Sequence, residues 1–341
     1  MKLNKHQLGI SMVEVLVALV ISVFLLGGII QIYVGNKATY GFTDAISRIQ
    51  ENGRFALDTM TTDLRMAGFF GCAVFDPDDT ENIVNNLNPA SPDYDPNIHD
   101  FILAGVINGT ENDGLNGSDS VTLRGSKPNQ VNVHPPYNVS TSAMIHVTAN
   151  NAIKPGDIVM VANCRGADIF QVTNTTTSTN ASQNAVVHNT GGGSPGNYNT
   201  DSCKGGNAHC LSQTYGSDAA MFEMQTVTYS IQTGDGGEPA LFRSENGTDI
   251  ELIDGIEQMQ ILYGLDTDGD KHANRYVTID NVPDTFDVMA VRLMLLVRSR
   301  KDFVAEDNQK YIFNGANVTA GDRRLRQVFM TTIALRNRVG S

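Results

Sequence analysis

An apolar run that no charge interrupts lies near the start of the chain. From Val15 to Ile30 every side chain is uncharged, and apolar residues persist to Val34. About 20 such residues cross a bilayer as a helix, so 10–34 is predicted to be a membrane-spanning helix. The pattern then becomes periodic. Ile46, Ile49, Ala56, Leu57 and Met60 recur mostly at steps of three, four and seven, which gathers them on one helix face. One helix is therefore predicted from about Ser11 to Met66. Its outer half, 35–67, is amphipathic, and Ala67-Gly68 ends it. Gly27-Gly28 should weaken it locally, by about 1 kcal/mol per glycine relative to alanine, and Gly53 is a milder instance of the same defect.

Beyond residue 68 the apolar positions come in short runs. Residues 76–119 are rich in Asp, Asn, Pro and Gly and read as loops, with one short strand over 100–107. Strands are predicted over 120–124, 144–148, 157–162 and 168–173. The segment 173–202 is dominated by Thr, Asn, Ser and Gly; it has little to bury and reads as a long exposed loop between two lobes. Two further runs, 226–231 and 240–244, bracket Gly234-Asp235-Gly236-Gly237, a hairpin signal. Strands follow at 250–253, 259–265, 288–297 and 328–335, and the third of these places Arg292 and Arg298 on one strand face. The fold class is thus α+β: a long N-terminal helix packed on a mainly antiparallel β-sheet head spanning 68–341.

Charge narrows the partners. With 24 basic and 37 acidic residues the formal charge is −13, an unsuitable balance for general nucleic-acid binding, so none is expected. The arginines near the end (Arg323, Arg324, Arg326, Arg336, Arg338) are expected to edge a strand or to pair with acidic neighbours. Lys2 and Lys5 on the short side of the span favour a cytoplasmic N-terminus, which puts the head across the membrane. Cys72, Cys164, Cys203 and Cys210 then lie on the oxidising side, and an even count there implies two disulfides with three possible connectivities. The short flexible loop between Cys203 and Cys210 closes easily, which pairs those two and leaves Cys72 with Cys164. A metal site on Cys203, His209 and Cys210 would lack an evident fourth ligand.

Two motifs carry candidate chemistry. Asp266, Asp268 and Asp270 alternate along one turn, followed by Asn274, and could offer oxygens to calcium. Lys271 and Val277 stand where an EF-hand needs glycine and glutamate, so any calcium loop would be a looser one, completed by Asp280 or Asp284; the plainer reading is an acidic turn. The second motif is Leu8-Gly9-Ile10-Ser11-Met12-Val13-Glu14. A lone carboxylate in a span costs about 2.5–3.5 kcal/mol near the helix centre, less toward the interface, and calls for a partner. The span holds no Lys or Arg. A new α-amino group, made by cutting between Gly9 and Ile10, would supply the charge.

That arrangement resembles the class III signal of type IV prepilins and pseudopilins. The resemblance implies cleavage after Gly9 by a prepilin peptidase, methylation of Ile10, and an assembly role for Glu14, the fifth mature residue. The first mature residue of the family is usually phenylalanine; here it is Ile10. Further runs resemble the large minor pilins of the PilW kind: 48–58 (Arg-Ile-Gln-Glu-Asn-Gly-Arg-Phe-Ala-Leu-Asp), 63–72 ending in Ala-Gly-Phe-Phe-Gly-Cys, 263–270, 326–332 and 334–338. The middle, about 75–220, carries little of it. The resemblance implies a lollipop-shaped, non-catalytic minor pilin of the inner membrane. Such a protein joins other minor pilins and the major pilin in a complex that primes pilus assembly and sits at the tip. It also implies that a glycine zone in the span melts when subunits pack. The J-type pseudopilin of type II secretion and a pilus-tip adhesin are the alternatives. No G-x-S-x-G, H-E-x-x-H or phosphate-binding loop occurs, and no enzyme activity is expected.

Overall fold

A computed structural model describes residues 11–73, 82–137, 140, 142–149, 151–177, 183–190, 193–198 and 211–339. Helix α1 runs unbroken over Met12–Met66, 55 residues and therefore about 80 Å at 1.5 Å per residue. Its two halves live in different surroundings. Residues 11–43 are exposed throughout, including the large apolar side chains from Met12 to Val34. From Ala45 onward one face is buried: Ala45, Ile49, Gly53, Ala56, Met60 and Leu64, spaced by threes and fours. Each large side chain of that stripe adds about 1.5–3 kcal/mol of burial. Ile46 and Leu57 fall at its margin, half-buried.

The rest is mainly strand. In chain order come β1 (Ile83–Asn85), α2 (Pro96–His99), β2 (Ile107–Thr110), β3 (Ser120–Asn132), β4 (Met144–Thr148), β5 (Ile158–Asn163), β6 (Gly166–Gln171), β7 (Asn174–Thr177), β8 (Gln183–Val187) and β9 (Ala220–Thr233). Then follow β10 (Pro239–Glu245), β11 (Thr248–Asp254), β12 (Ile256–Leu265), β13 (Arg275–Val277), β14 (Val288–Arg298), β15 (Lys310–Phe313), β16 (Ala316–Thr319), β17 (Arg326–Ala334) and α3 (Arg336–Val339). The largest sheet is built around β9, which pairs with β3 on one side and with β5 and β10 on the other; β2, β6, β1 and β11 extend it. A second sheet has the order β13-β12-β14-β17, antiparallel throughout. The main core lies where α1 meets the inner faces of these two sheets, with Ile49, Met60 and Leu64 against residues such as Val227, Tyr229, Ile261, Val291 and Leu295. A smaller core under the β4-β8-β7 sheet gathers Val147, Val161, Phe170, Val186, Tyr215 and Met221.

Several expectations change. The strand expected over 100–107 is a turn, because the Asp100 carboxylate takes the backbone N–H groups of Ile102 and Leu103; the strand begins at Ile107. Strand β3 runs on past residue 124 to Asn132, with its register shift between Ser126 and Gln130 absorbing Pro128. The segment 173–202 is not one exposed loop. It contains β7 and β8, and Val186 is buried in the second core. The β-branched threonines that looked like loop composition fit a pleated edge equally well. Gly27 and Gly28 remain helical. Gly53 is no helix defect but a packing site: a Cβ there would lie 2.5 Å from the Phe329 ring of β17.

Candidate assembly surface

Among the described residues one helix, α1, is long and apolar enough to cross a membrane. Ser11 caps it. The Ser11 hydroxyl accepts from the Val13 N–H, and the Glu14 carboxylate accepts from the Ser11 N–H at 3.2 Å, so Glu14 reaches back to the chain just before the helix. Gly9 and Ile10 lie outside the described residues.

The second half of α1 is held by specific bonds as well as by apolar packing. Asp63 accepts the Tyr229 hydroxyl at 2.7 Å and the Arg243 Nε at 2.9 Å. Arg243 goes on to Glu245 at 2.6 Å, and Lys127 bridges Glu245 and Glu223. Hydrogen bonds to Arg243 and Lys127 hold the Glu245 carboxyl below its ordinary range. Burial, reinforced by Asp63, pushes the Tyr229 hydroxyl up, so it stays a neutral donor. The Asn52 amide donates to the Asp254 carbonyl, and the Asn337 amide donates to the Ala67 carbonyl. Beyond the helix the Gly68 N–H donates to the Arg124 carbonyl, and the Phe69 carbonyl accepts both donors of Ser126. Gly68 has φ +71 there, the conformation glycine adopts at least cost.

Cys72 and Cys164 form a disulfide, with Cα atoms 4.7 Å apart. It joins the segment leaving α1 to the turn between β5 and β6. Cys203, Cys210 and His209 lie outside the described residues.

Near it, the buried Asp168 of β6 accepts from the Asn86 amide, the Ser212 N–H and hydroxyl, and the Tyr215 hydroxyl. Burial raises its pKa although all four donors favour the ionised form. This carboxylate fastens residues 211–215 onto the sheet; nothing in its sequence neighbourhood marks it, because its donors come from distant segments.

Of the C-terminal arginines, Arg324 and Arg326 pair with carboxylates among the described residues. Arg326, whose side chain is 5 % exposed, grips Glu257 at 2.6 and 2.9 Å and Asp322 at 2.5 Å. Arg298 joins Glu238 at 2.6 Å, and Arg324 meets the same carboxylate at 3.2 Å. Arg323 lies over the Phe303 ring, and Arg292 over Tyr276 at 3.9 Å. Arg292 and Arg298 share the outer face of β14, as their spacing predicted.

Asp266, Asp268 and Asp270 bring three carboxylate oxygens within 4.8 Å of one another. Asp266, however, already accepts the N–H groups of Asp268, Gly269 and Lys271; against the opposing effect of desolvation, these donors lower its pKa. Lys271 itself takes the positive φ, +64, that a glycine would supply. Asn274 is turned to Thr267. Of the expected completing residues, Asp284 caps the turn at Phe286, and Asp280 sits beside Glu111 and Asp119. One oxygen from each carboxylate gives three of the six to eight that calcium takes, and the Asp266 carboxylate also organises the turn itself.

The family model for type IV pilus-assembly protein W, PilW, matches residues 228–337. No curated protein and no solved structure matches the chain. The matched stretch runs from within β9 to within α3 and contains the whole β13-β12-β14-β17 sheet that seats the helix. The match supports a pilus-assembly-related family and an involvement in type IV pilus assembly, with pilus components as the class of partner.

Proposed function

We propose that the chain is a non-catalytic minor pilin. It is held in the inner membrane by α1 with its head in the periplasm, and it joins other minor pilins and the major pilin in the complex that primes pilus assembly. The observation that carries this reading is the division of one 55-residue helix into an exposed apolar half and a half built into the head. A monomer that leaves so much apolar helix uncovered needs a bilayer or neighbouring helices around it.

In this reading a prepilin peptidase removes 1–9 and methylates Ile10. Glu14 then exchanges its local contact at Ser11 for the α-amino group of a neighbouring subunit. An ion pair of this kind satisfies two groups that lipid solvates poorly. The Glu14→Ala variant is expected to be cleaved normally and to accumulate in the membrane, yet to be lost from sheared filaments. Filaments of normal number containing the variant would sink the role assigned to Glu14. Deletion of the chain should abolish piliation and leave exoprotein release intact; the opposite pattern would move it to the J-type pseudopilins of type II secretion.

A further inference from the structure

Strand β17 ends the second sheet, and its outer edge is unpaired among the described residues beyond Arg326. Leu335 N–H donates to the Met289 carbonyl, and β17 pairs with β14 in strict antiparallel register from Ala290↔Ala334 to Arg298↔Arg326. In such a ladder hydrogen-bonded and non-hydrogen-bonded pairs alternate. Odd-numbered residues of β17 therefore bond to β14. Arg326, Val328, Met330, Thr332 and Ala334 turn their N–H and C=O groups outward. At Arg326 the outward pair is closed: the Gln309 side chain accepts its N–H at 2.7 Å and donates to its carbonyl at 2.8 Å. From Val328 to Ala334 no other strand pairs with that edge among the described residues.

Natural sheets protect edges with shortness, charge, proline or bulges. Three other outer strands of the two large sheets follow that rule. Strands β1 and β13 are three residues long, β13 carries Arg275, and β11 carries Asp249, Glu251 and Asp254. Strand β17 does not. Residues 327–335 read Gln-Val-Phe-Met-Thr-Thr-Ile-Ala-Leu, without a charge, a proline or a glycine, and the register has no shift. Met330 is 63 % exposed in the middle of it. This is the composition that invites strand addition.

Direction argues against an antiparallel pair of two copies. Gly53 of α1 sits on Phe329, and Ala67 at the helix end is bonded to Asn337, so α1 and β17 run the same way. An antiparallel pair of two β17 edges would point the second copy's helix away from the shared membrane. We propose that β17 is a docking edge that receives an extended, uncharged segment from a different pilus-assembly subunit. The main-chain groups of residues 328–334 give the affinity, and side chains of the incoming strand lie beside Phe329, Thr331 and Ile333 on one face and Met330 and Thr332 on the other. This inference rests on the pilus-assembly reading above.

The test is amide hydrogen exchange of the full chain, purified alone in detergent and within complexes extracted from piliated membranes. Alone, the amides of Met330 and Thr332 should exchange far faster than those of Phe329 and Thr331. In the complex they should slow by at least tenfold. Met330→Pro removes only an outward N–H and should keep the thermal midpoint while losing incorporation into filaments; Met330→Ala should keep both. Unchanged exchange at Met330 and Thr332 in chains that have lost 1–9 and reached the filament would overturn the proposal. So would wild-type incorporation of Met330→Pro. Protection that appears in the purified chain and grows with its concentration would assign the edge to a second copy and overturn the heterologous partner. Chains that keep their leader and never reach filaments would refute the pilin reading itself, and the docking edge with it.

Discussion

At Gly53, helix α1 meets the Phe329 ring of β17. By helix propensity alone, Gly53→Ala should stabilise α1 by about 1 kcal/mol. In the folded chain the new Cβ would meet the Phe329 ring at 2.5 Å, and overpacking of this kind costs about 1–3 kcal/mol. The expected outcome is therefore a lower thermal midpoint for Gly53→Ala. The same change at Gly27 or Gly28, where a Cβ meets nothing, should leave the head untouched. A stabilised Gly53→Ala head would mean that helix and sheet do not approach this closely. Charged residues at the same scale set the acid response. Arg326 holds the Asp322 carboxyl below its ordinary range; Arg243 and Lys127 do so for Glu245, and Arg298 and Arg324 for Glu238 against some desolvation. A carboxyl depressed in the folded state stabilises the fold above its unfolded pKa, and that stability is lost as pH falls through the folded value. Asp168 and Asp119, raised mainly by burial, act with the opposite sign and lose their contribution as pH rises. The urea midpoint should thus fall as pH drops below about 4, the ordinary carboxylate range. It should fall less in Glu245→Gln, whose neutral side chain no longer titrates; an identical acid slope in that variant would refute the assignment.

At the level of elements, periodicity made α1 legible from Ser11 to Met66, since its burial stripe at Ile49, Ala56 and Met60 is written in the spacing of apolar residues. The strands of the C-terminal half were legible for a related reason: 226–231, 240–244, 259–265 and 288–297 are apolar runs bounded by turn residues, and each lies within an observed strand. The failures came where polar composition concealed strands. Thr and Asn in β7 and β8 read as loop because β4, which pairs with β8, is distant in sequence. The turn at Asp100 was hidden because a side chain, not a glycine, makes it. The functional elements were uneven in the same way. The span and Glu14 stand out locally, whereas Asp63, Tyr229 and Arg243 converge from three separate segments, and the open edge of β17 exists only once sheet order is known. The Cys72–Cys164 bridge ties two of these elements across 92 residues of sequence. A loop of that size limits the unfolded chain strongly, and Cys72→Ser is expected to cost about 2–5 kcal/mol. A midpoint unchanged in oxidising buffer would show that apolar packing alone secures this end of the helix.

At the scale of the whole molecule, one helix has two halves with different surfaces. Its outer half is bound into the head by an apolar stripe, the Asp63 network and amide contacts at both ends. Its inner half carries apolar side chains from Met12 to Val34 that nothing among the described residues covers. That asymmetry, the pilus-assembly match over 228–337 and the Gly9-Ile10 junction before Glu14 are the grounds for the proposal that the chain is processed and assembled as a pilin. The most direct test is the intact mass of the full-length protein extracted from membranes, with and without an active prepilin peptidase. The account predicts loss of residues 1–9 and one added methyl group on Ile10 only when the peptidase is present. An unchanged mass despite an active peptidase would contradict it and leave α1 as an ordinary membrane anchor.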